Sequence, residues 1–198
     1  MPTVIGVSAS PFVRKVRVLL AEKGVPYELD PVIPFNASPE FKQMSPLGKV
    51  PAYRDGDRVL CDSSVICAYI ERTHPDPALY PSDPYDYGRA LWFEEYGDTA
   101  LAQVMGPKIF FNRVVGPKFF QRPCDEAVVK HAIDEELPPL FDYLEGQLTG
   151  NGTSIAGPQF SIGDIGVATQ FVNLRHAGVT VDATRWPKLA RYVRGVEG

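Results

Sequence analysis

Two serines stand at the predicted starts of helices in the first third of the sequence. Ser10 precedes Pro11 and an apolar helical pattern that ends at Gly24, and Ser63 follows Asp62 at the start of another helical pattern. Serine and aspartate cap helix N-termini, where free backbone amides and the helix dipole favour a bound anion. A serine hydroxyl can also donate a hydrogen bond to an anion. These residues therefore predict either simple helix caps or two anion-binding positions.

The elements that position these serines alternate between strands and helices. β-branched runs and helical spacing of apolar residues predict the order strand, helix, strand, short helix, two strands and helix. Asp55-Gly56 lies between the last two strands and is a strong hairpin signal. A βαβ unit followed by a hairpin and a helix indicates a small α/β domain with a mixed sheet. The predicted ranges are residues 3–7, 12–23, 26–33, 38–44, 50–53, 58–61 and 65–72.

The composition and the predicted secondary structure both change after His74. Prolines are dense between residues 75 and 84, which indicates a stiff linker. No convincing strand pair is predicted beyond it, so the second part of the chain is expected to be all-helical. We therefore predict an α/β domain over residues 1–77 and a helical domain over residues 84–198.

The helices of the second part are predicted with internal breaks. Residues 85–115 and 125–148 read as helical, and the Gly-Pro pairs at 106–107 and 116–117 should kink or end the first. Pro138-Pro139 should interrupt the second. Ser161 to Asp164 has the pattern of a capping box that opens an apolar helix, and residues 186–195 form a plausible last helix.

Composition narrows the class of protein. The 198-residue chain has a net charge of −4, 44% hydrophobic residues and no basic stripe, which argues against a nucleic-acid binder. No apolar run approaches the ~20 residues of a membrane span, and the N-terminus lacks a signal-peptide pattern, so a cytoplasmic location is expected. The 3 cysteines and 3 histidines show neither disulfide nor metal-ligand spacing, so no metal is expected.

Several motifs together resemble the glutathione S-transferase family, particularly serine-type classes such as tau. The stretch from Ser10 to Gly24 resembles the family's first βα turn and helix. Gly48-Lys49-Val50-Pro51 is similar to the segment that leads to its cis-proline, and Asp62-Ser63 to its glutathione clamp. Ser161 to Asp164 resembles the capping box of its core helix. The resemblance spans nearly the whole chain and is loosest between Gly106 and Cys124.

The resemblance implies a thioredoxin-like domain that holds glutathione as co-substrate and a helical bundle beside it. Ser10 would donate its hydroxyl hydrogen to the glutathione sulfur and so favour the thiolate. The local alternatives are that Ser10 only caps its helix or that Ser8 is the donor. Oxidoreductase-type relatives carry cysteine at the position of Ser10, so mixed-disulfide chemistry is not expected here. Arg14 and Arg17 would add positive potential near the sulfur.

The rest of the tripeptide would be held by two further segments. If Pro51 is cis, the Val50 backbone would pair with the cysteinyl part of glutathione, whereas local sequence allows an ordinary strand entry. Lys49 would pair with the glycine carboxylate or be a solvated lysine. Ser63 would bind the γ-glutamyl carboxylate and Asp62 its ammonium, and helix capping is compatible with both roles.

The second-substrate site is less well defined by the sequence. Tyr96, Phe110, Phe111 and Arg113 are candidates for a helical wall, and Phe12 for a contribution from the first domain. Core packing is an equal alternative for the aromatic residues, and contact with glutathione or a partner subunit is the alternative for Arg113. Phe119-Phe120 can be core or interface. The second substrate itself is not identified, beyond being partly apolar, and a C-terminal tail can complete such a cleft.

The implied activity is attack of the glutathione thiolate on an electrophilic carbon, as in detoxification, by a homodimeric enzyme. One alternative is a glutathione-dependent peroxidase or disulfide reductase on the same fold, which needs no protein cysteine. The other is a non-enzymatic interaction protein that retains the fold. Intact Ser10, Pro51, Asp62 and Ser63 favour an enzyme.

Overall fold

The computed structural model describes residues 1–36, 38–149 and 154–197. The chain divides into two compact units, Met1–Tyr80 and Pro81–Gly198, and each is described by itself. The first is an α/β unit and the second is helical, which confirms the predicted fold class. The boundary between the units falls within the proline-rich segment.

The first unit follows the predicted order of elements. Its mixed sheet has the order β2-β1-β3-β4, in which β1 is parallel to β2 and antiparallel to β3, and β3 is antiparallel to β4. The first two strands are shorter than predicted, since Gly6, at φ +146°, ends β1 two residues early. The third strand begins two residues later than predicted, and the fourth has the predicted bounds. The elements are β1 (Thr3–Ile5), α1 (Pro11–Glu22), β2 (Glu28–Asp30), a 3₁₀ turn (Pro34–Asn36), α2 (Pro39–Met44), β3 (Ala52–Asp55), β4 (Arg58–Cys61) and α3 (Ser63–Thr73).

Strand register brings three loop segments to the same edge of the sheet. Ile5 pairs with Ala52, and Ala52 pairs with Cys61. Because β3 is antiparallel to both neighbours, the chain leaves β1 and β4 at the edge where it enters β3. The residues after β1, before β3 and after β4 therefore lie side by side.

Helix α1 is fixed to the sheet by its apolar face and to the end of the unit by a lysine. Val13, Val16, Leu19 and Leu20 have no solvent exposure, as the helical spacing predicted. The Lys23 ammonium donates to the carbonyls of residues 74 and 77 at 2.7 and 2.8 Å. It also pairs with a Glu71 carboxylate oxygen at 2.7 Å, and this buried set ties the end of α1 to the segment after α3.

The second unit is helical, but its first long helical stretch does not end at either Gly-Pro pair. The chain stays helical through 106–107 and 116–117 by alternating α-helical and wider π-helical turns, and it stops at Gln121, which is left-handed with φ 51°. The elements are α4 (Pro84–Tyr96), π turns (Gly97–Leu101), α5 (Ala102–Val104), π turns (Met105–Val115), α6 (Gly116–Phe120), α7 (Glu126–His131), π turns (Ala132–Glu136), α8 (Leu137–Gln147), α9 (Ile162–His176) and α10 (Pro187–Glu197).

Helix α9 is the centre of the second unit. The capping box at its start is confirmed: Ser161 and Asp164 satisfy each other's side-chain and backbone groups. Glycines let α9 approach α4 closely. A Cβ atom built on Gly97, directly after α4, would lie 2.5 Å from the Gly166 carbonyl oxygen, and one on Gly163 would lie 2.9 Å from the Ala90 carbonyl oxygen.

Candidate functional site

Ser10 caps the N-terminus of α1, as predicted, and keeps a hydroxyl hydrogen to donate. Its backbone is extended (φ −72°, ψ 126°), and its Oγ accepts the Val13 N–H at 3.4 Å. The Ser10 N–H donates to the Val7 carbonyl at 3.0 Å, which folds the loop under the helix start. Among the described residues, the hydroxyl hydrogen has no acceptor. A hydroxyl can accept and donate at once, so capping does not use up the donor.

Val50 is held beside the start of α1 by a glycine. A Cβ atom on Gly6 would lie 2.6 Å from a Val13 methyl group and 2.9 Å from the Val50 Cβ, so only glycine lets these side chains meet there. The peptide bond from Val50 to Pro51 is cis, as the resemblance implied. Within the described part of the chain, the Val50 N–H and carbonyl have no hydrogen-bond partner. These backbone groups can therefore pair with a ligand.

Asp62 and Ser63 form the start of α3. Asp62 is the N-cap: its Oδ1 accepts the backbone N–H groups of Ser64 at 2.9 Å and of Val65 at 3.3 Å. Its φ of 75° is a left-handed conformation that few non-glycine residues adopt. Ser63 is 4% exposed, and neither its N–H nor its hydroxyl has a partner in the described ranges. The predicted capping is confirmed, and the Ser63 donors are left for an anion.

The other predicted residues of the first unit lie around these segments. Lys49 is exposed, and its carbonyl accepts the Ser45 hydroxyl at 2.7 Å. Phe12 is half-buried in the first turn of α1. Both predicted arginines of α1 are partnered. Arg14 donates to the Ser8 carbonyl at 3.1 Å, and Arg17 to the Tyr27 hydroxyl at 2.8 Å.

The residues predicted for the second substrate are packed or paired within the second unit. Tyr96 is 8% exposed and donates to the Leu140 carbonyl at 3.2 Å, and burial raises its pKa to about 12. Phe110 is 9% exposed. Arg113 donates to the Ala177 carbonyl at 3.2 Å and pairs with the Glu126 carboxylate at 3.0 Å. Phe119 and Phe120, which the sequence left as core or interface, are 62% and 45% exposed.

Sequence reasoning missed two residues near these segments. Gly6 was not singled out, although a glycine directly after a strand is a signal of close backbone approach. Lys15 was also passed over, although it lies four residues before Leu19 and hence beside the apolar face of α1. Its side chain is fully buried, and its Nζ donates to the Ser64 Oγ at 2.9 Å.

A mixed four-stranded sheet in a thioredoxin-like unit, followed by a helical unit, defines a class that known proteins share. Residues 4–78 match the glutathione S-transferase N-terminal domain, and residues 126–195 match the glutathione S-transferase C-terminal domain. The chain is 30% identical to the uncharacterised GST-like protein YibF of Escherichia coli over 188 residues, which cover 93% of this chain and 90% of that protein.

Two further comparisons agree. Human glutathione S-transferase theta-1 is 29% identical over 188 residues, which cover 93% of this chain and 77% of that protein. A solved glutathione S-transferase structure from Rhodospirillum rubrum superimposes with a TM-score of 0.91 at 21% identity and covers 100% of this chain and 88% of its own. The chain belongs to the glutathione S-transferase family.

The described residues contain neither a helix that could span a membrane nor a cluster of metal-binding side chains. Across residues 1–36, 38–149 and 154–197, no helix is long and apolar enough to cross a membrane. The same ranges contain no group of three or more His, Cys, Asp or Glu that would hold a metal ion. Cys61, Cys67 and Cys124 form no disulfide, and Cys67 is fully buried.

Proposed function

We propose that this protein is a glutathione transferase that stabilises the glutathione thiolate for attack on an electrophilic, partly apolar substrate. The observation that carries the proposal is the Ser10 hydroxyl at the N-terminus of α1, which accepts from Val13 and keeps its hydrogen for a ligand. Membership of the family supports glutathione as the co-substrate.

The chemistry required of Ser10 is modest. A free thiol has a pKa of ~8.5, so little thiolate is present at neutral pH. A hydrogen bond donated by Ser10 to the sulfur favours the charged form, and the positive end of α1 acts in the same direction. Together they would lower the pKa of the bound thiol by ~1–2 units, or roughly 1.4–2.7 kcal/mol. Ser10 need not lose its own proton.

The edge of the sheet supports a binding mode for the rest of the tripeptide. Neighbouring strands lie about 4.8 Å apart, so segments beside β1, β3 and β4 span about 10 Å. Three extended residues have a similar length, at about 3.3–3.6 Å each. Ser10 would therefore face the thiol, the Val50 backbone the cysteinyl part, and Ser63 the γ-glutamyl carboxylate. Asp62 would pair with the γ-glutamyl ammonium and Lys49 with the glycine carboxylate.

The second substrate and the assembly belong to the proposal as well. Phe12, Tyr96, Phe110 and Arg113 are proposed for the electrophile, although Tyr96 and Phe110 are buried and Arg113 already pairs with Glu126. A homodimer, a cytoplasmic location and a role in detoxification are what family membership suggests for this chain.

The test is titration of the ultraviolet absorbance of glutathione thiolate bound to the wild type, Ser10→Ala and Ser10→Gly. Glycine retains most of the helix-capping stability that serine provides. If both variants fail to lower the pKa of the bound thiol, the cause is therefore the missing hydroxyl and not the missing cap. We expect both to raise the pKa of the bound thiol by ~1–2 units towards the free value. Ser8→Ala is the matched control and should leave that pKa unchanged, because Ser8 is exposed and contributes its carbonyl to Arg14.

Three outcomes would contradict the proposal. An unchanged thiol pKa in both Ser10 variants would make Ser10 a helix cap only. Glutathione binding followed by turnover of peroxide or disulfide, without conjugation, would favour the peroxidase or reductase. No glutathione binding by calorimetry would favour the interaction protein.

A further inference from the structure

Lys15 is a buried lysine that joins the two helix starts of the first unit. Its side chain has no solvent exposure, which is rare for lysine unless its amine is paired. Its Nζ donates to the Ser64 Oγ at 2.9 Å across 49 residues of sequence. One end of this contact belongs to α1 and the other to the first turn of α3.

The position of Lys15 along α1 lets its amine reach back to the level of the helix start. Lys15 follows Ser10 by five residues, which is about 7.5 Å along a helix axis. Side chains in a helix lean towards its N-terminus, so the extended lysine stem brings Nζ back towards the level of the first turn. The contact therefore spans the gap between the two helix starts at the ligand-facing edge.

The acceptor Ser64 is part of the same turn as the proposed carboxylate donors. It directly follows Ser63, whose N–H and hydroxyl are without partners in the described ranges. The Ser64 N–H is itself bound by the Asp62 carboxylate at 2.9 Å. Holding Ser64 from both its backbone and its side chain fixes the direction of the Ser63 donors.

We propose that Lys15 is a positioning residue that sets the spacing between the thiol-binding start of α1 and the carboxylate-binding start of α3. The bonds between the thiol and the γ-glutamyl carboxylate of glutathione limit how far apart these two groups can lie, so both bind well only when the two helix starts are correctly separated. From this position the amine of Lys15 would also favour the anionic thiolate and γ-glutamyl carboxylate electrostatically. The inference rests on the proposed function, because it assumes that glutathione binds at this edge.

The experiment measures glutathione affinity by calorimetry and bound thiolate by ultraviolet titration in Lys15→Met and Ser64→Ala. Methionine keeps the buried stem and removes Nζ, and alanine removes only the acceptor. Lys42→Met, at an exposed lysine of the same unit, is the control. We expect about a tenfold loss of affinity and a rise of about half a unit in the thiol pKa for Lys15→Met, and about a threefold loss of affinity for Ser64→Ala.

The double variant distinguishes positioning from separate effects. If the two side chains act through their contact, Lys15→Met with Ser64→Ala should bind glutathione no more weakly than Lys15→Met alone. Wild-type affinity and a thiol pKa within error of wild type in Lys15→Met would overturn the inference. A loss of stability with unchanged glutathione affinity and unchanged thiol titration would also overturn it, because the lysine would then be structural only. If Lys15→Met does not fold, an affinity of Ser64→Ala equal to that of wild type overturns it.

The wild-type measurement separates this inference from the proposed function. If the wild type binds no glutathione, the proposed function fails and the inference fails with it. If the wild type binds glutathione and both Lys15→Met and Ser64→Ala bind it equally well, the inference alone fails.

Discussion

Replacing Asp164 tests how much a buried carboxylate stabilises the second unit. Asp164 has no solvent exposure and accepts five hydrogen bonds. Its Oδ1 accepts the Ile155 N–H and the Tyr192 hydroxyl, both at 2.8 Å. Its Oδ2 accepts the Ser161 N–H at 2.9 Å, the Ser161 hydroxyl at 3.0 Å and the Ser154 hydroxyl at 3.1 Å. Two donors are backbone amides and three are hydroxyls that can rotate.

Asp164→Asn leaves one of the two backbone donors without an acceptor. If the new amide nitrogen lies at the Oδ2 position, the hydroxyls of Ser154 and Ser161 can turn to accept from it, but the Ser161 N–H cannot. If it lies at the Oδ1 position, the Tyr192 hydroxyl can turn and the Ile155 N–H cannot. One unsatisfied buried N–H costs about 1–3 kcal/mol, so we expect Asp164→Asn to lower the free energy of unfolding by about 2 kcal/mol.

Asp164→Ala removes both acceptor oxygens and should lower the free energy of unfolding about twice as much as Asp164→Asn does. The N–H groups of Ile155 and Ser161 both lose their partner, and a small cavity is added. We expect a loss of about 4 kcal/mol, within the usual range for breaking a buried polar network. The two substitutions therefore differ by about the cost of one buried N–H.

Tryptophan fluorescence during urea unfolding is the measurement. The chain has 2 tryptophans, Trp92 and Trp186, both in the second unit, so fluorescence reports that unit selectively. Glu95→Gln, at an exposed carboxylate of α4, is the control and should change the free energy of unfolding by less than about 0.5 kcal/mol. If Asp164→Ala costs no more than Asp164→Asn, the count of orphaned N–H groups is the wrong explanation of the network.

Another prediction concerns how the stabilities of wild type and Asp164→Asn depend on pH. Burial raises the pKa of Asp164, so the folded unit keeps this proton where the unfolded chain has lost it. The contribution of this group to stability is therefore full below about pH 4 and is lost as pH rises through the folded pKa. The free energy of unfolding in urea should therefore be higher for wild type than for Asp164→Asn by a smaller amount at pH 7 than at pH 4. A larger difference at pH 7 than at pH 4 would mean that the hydrogen bonds to the charged carboxylate outweigh its burial. Gly97→Ala should cost at least about 2 kcal/mol by the same assay, because its Cβ would lie 2.5 Å from the Gly166 carbonyl oxygen. Gly88→Ala, with no atom within 4 Å of the added Cβ, is its control and should stabilise α4 by about 0.5–1 kcal/mol, so equal effects at the two glycines would refute close packing as the cause.

Local signals were sufficient for most of the fold because each one acts within a few residues. The caps Ser10, Ser38 and Ser161 lie where the sequence predicted helix starts. The predicted hairpin is also present, although Asp55 ends β3 and the turn itself is Gly56-Asp57. The continuous helical stretch through Pro107 and Pro117 was not predictable in this way. A proline ends an isolated helix, but wider turns can accommodate the missing N–H when the helix is held by packing.

The candidate site was predictable where a residue acts by its own type and position. Ser10, Pro51 and Asp62 have the cap or cis geometry that their motifs indicated. Lys15 was not found, because its contact with Ser64 joins residues far apart in the sequence and only folding creates it. The N–H of Ser63 was predictable in the same way as the caps, because the first backbone amides of a helix have no partner within it.

Strand register explains why short and individually weak motifs define one site. A shift of β3 by one residue against β1 would turn Ala52 and Tyr53 to opposite faces and move Val50 away from Gly6. The turn after Asp55, with Gly56 at φ 59°, fixes the pairing of Asp55 with Arg58 and so aligns Cys61 with Ala52 at the far end of the hairpin. The positions of Val50 and Ser63 therefore depend on a turn at the opposite end of the strands. The number of residues between two motifs therefore matters, because it sets the length of the strands between them and hence where each motif lies along the sheet.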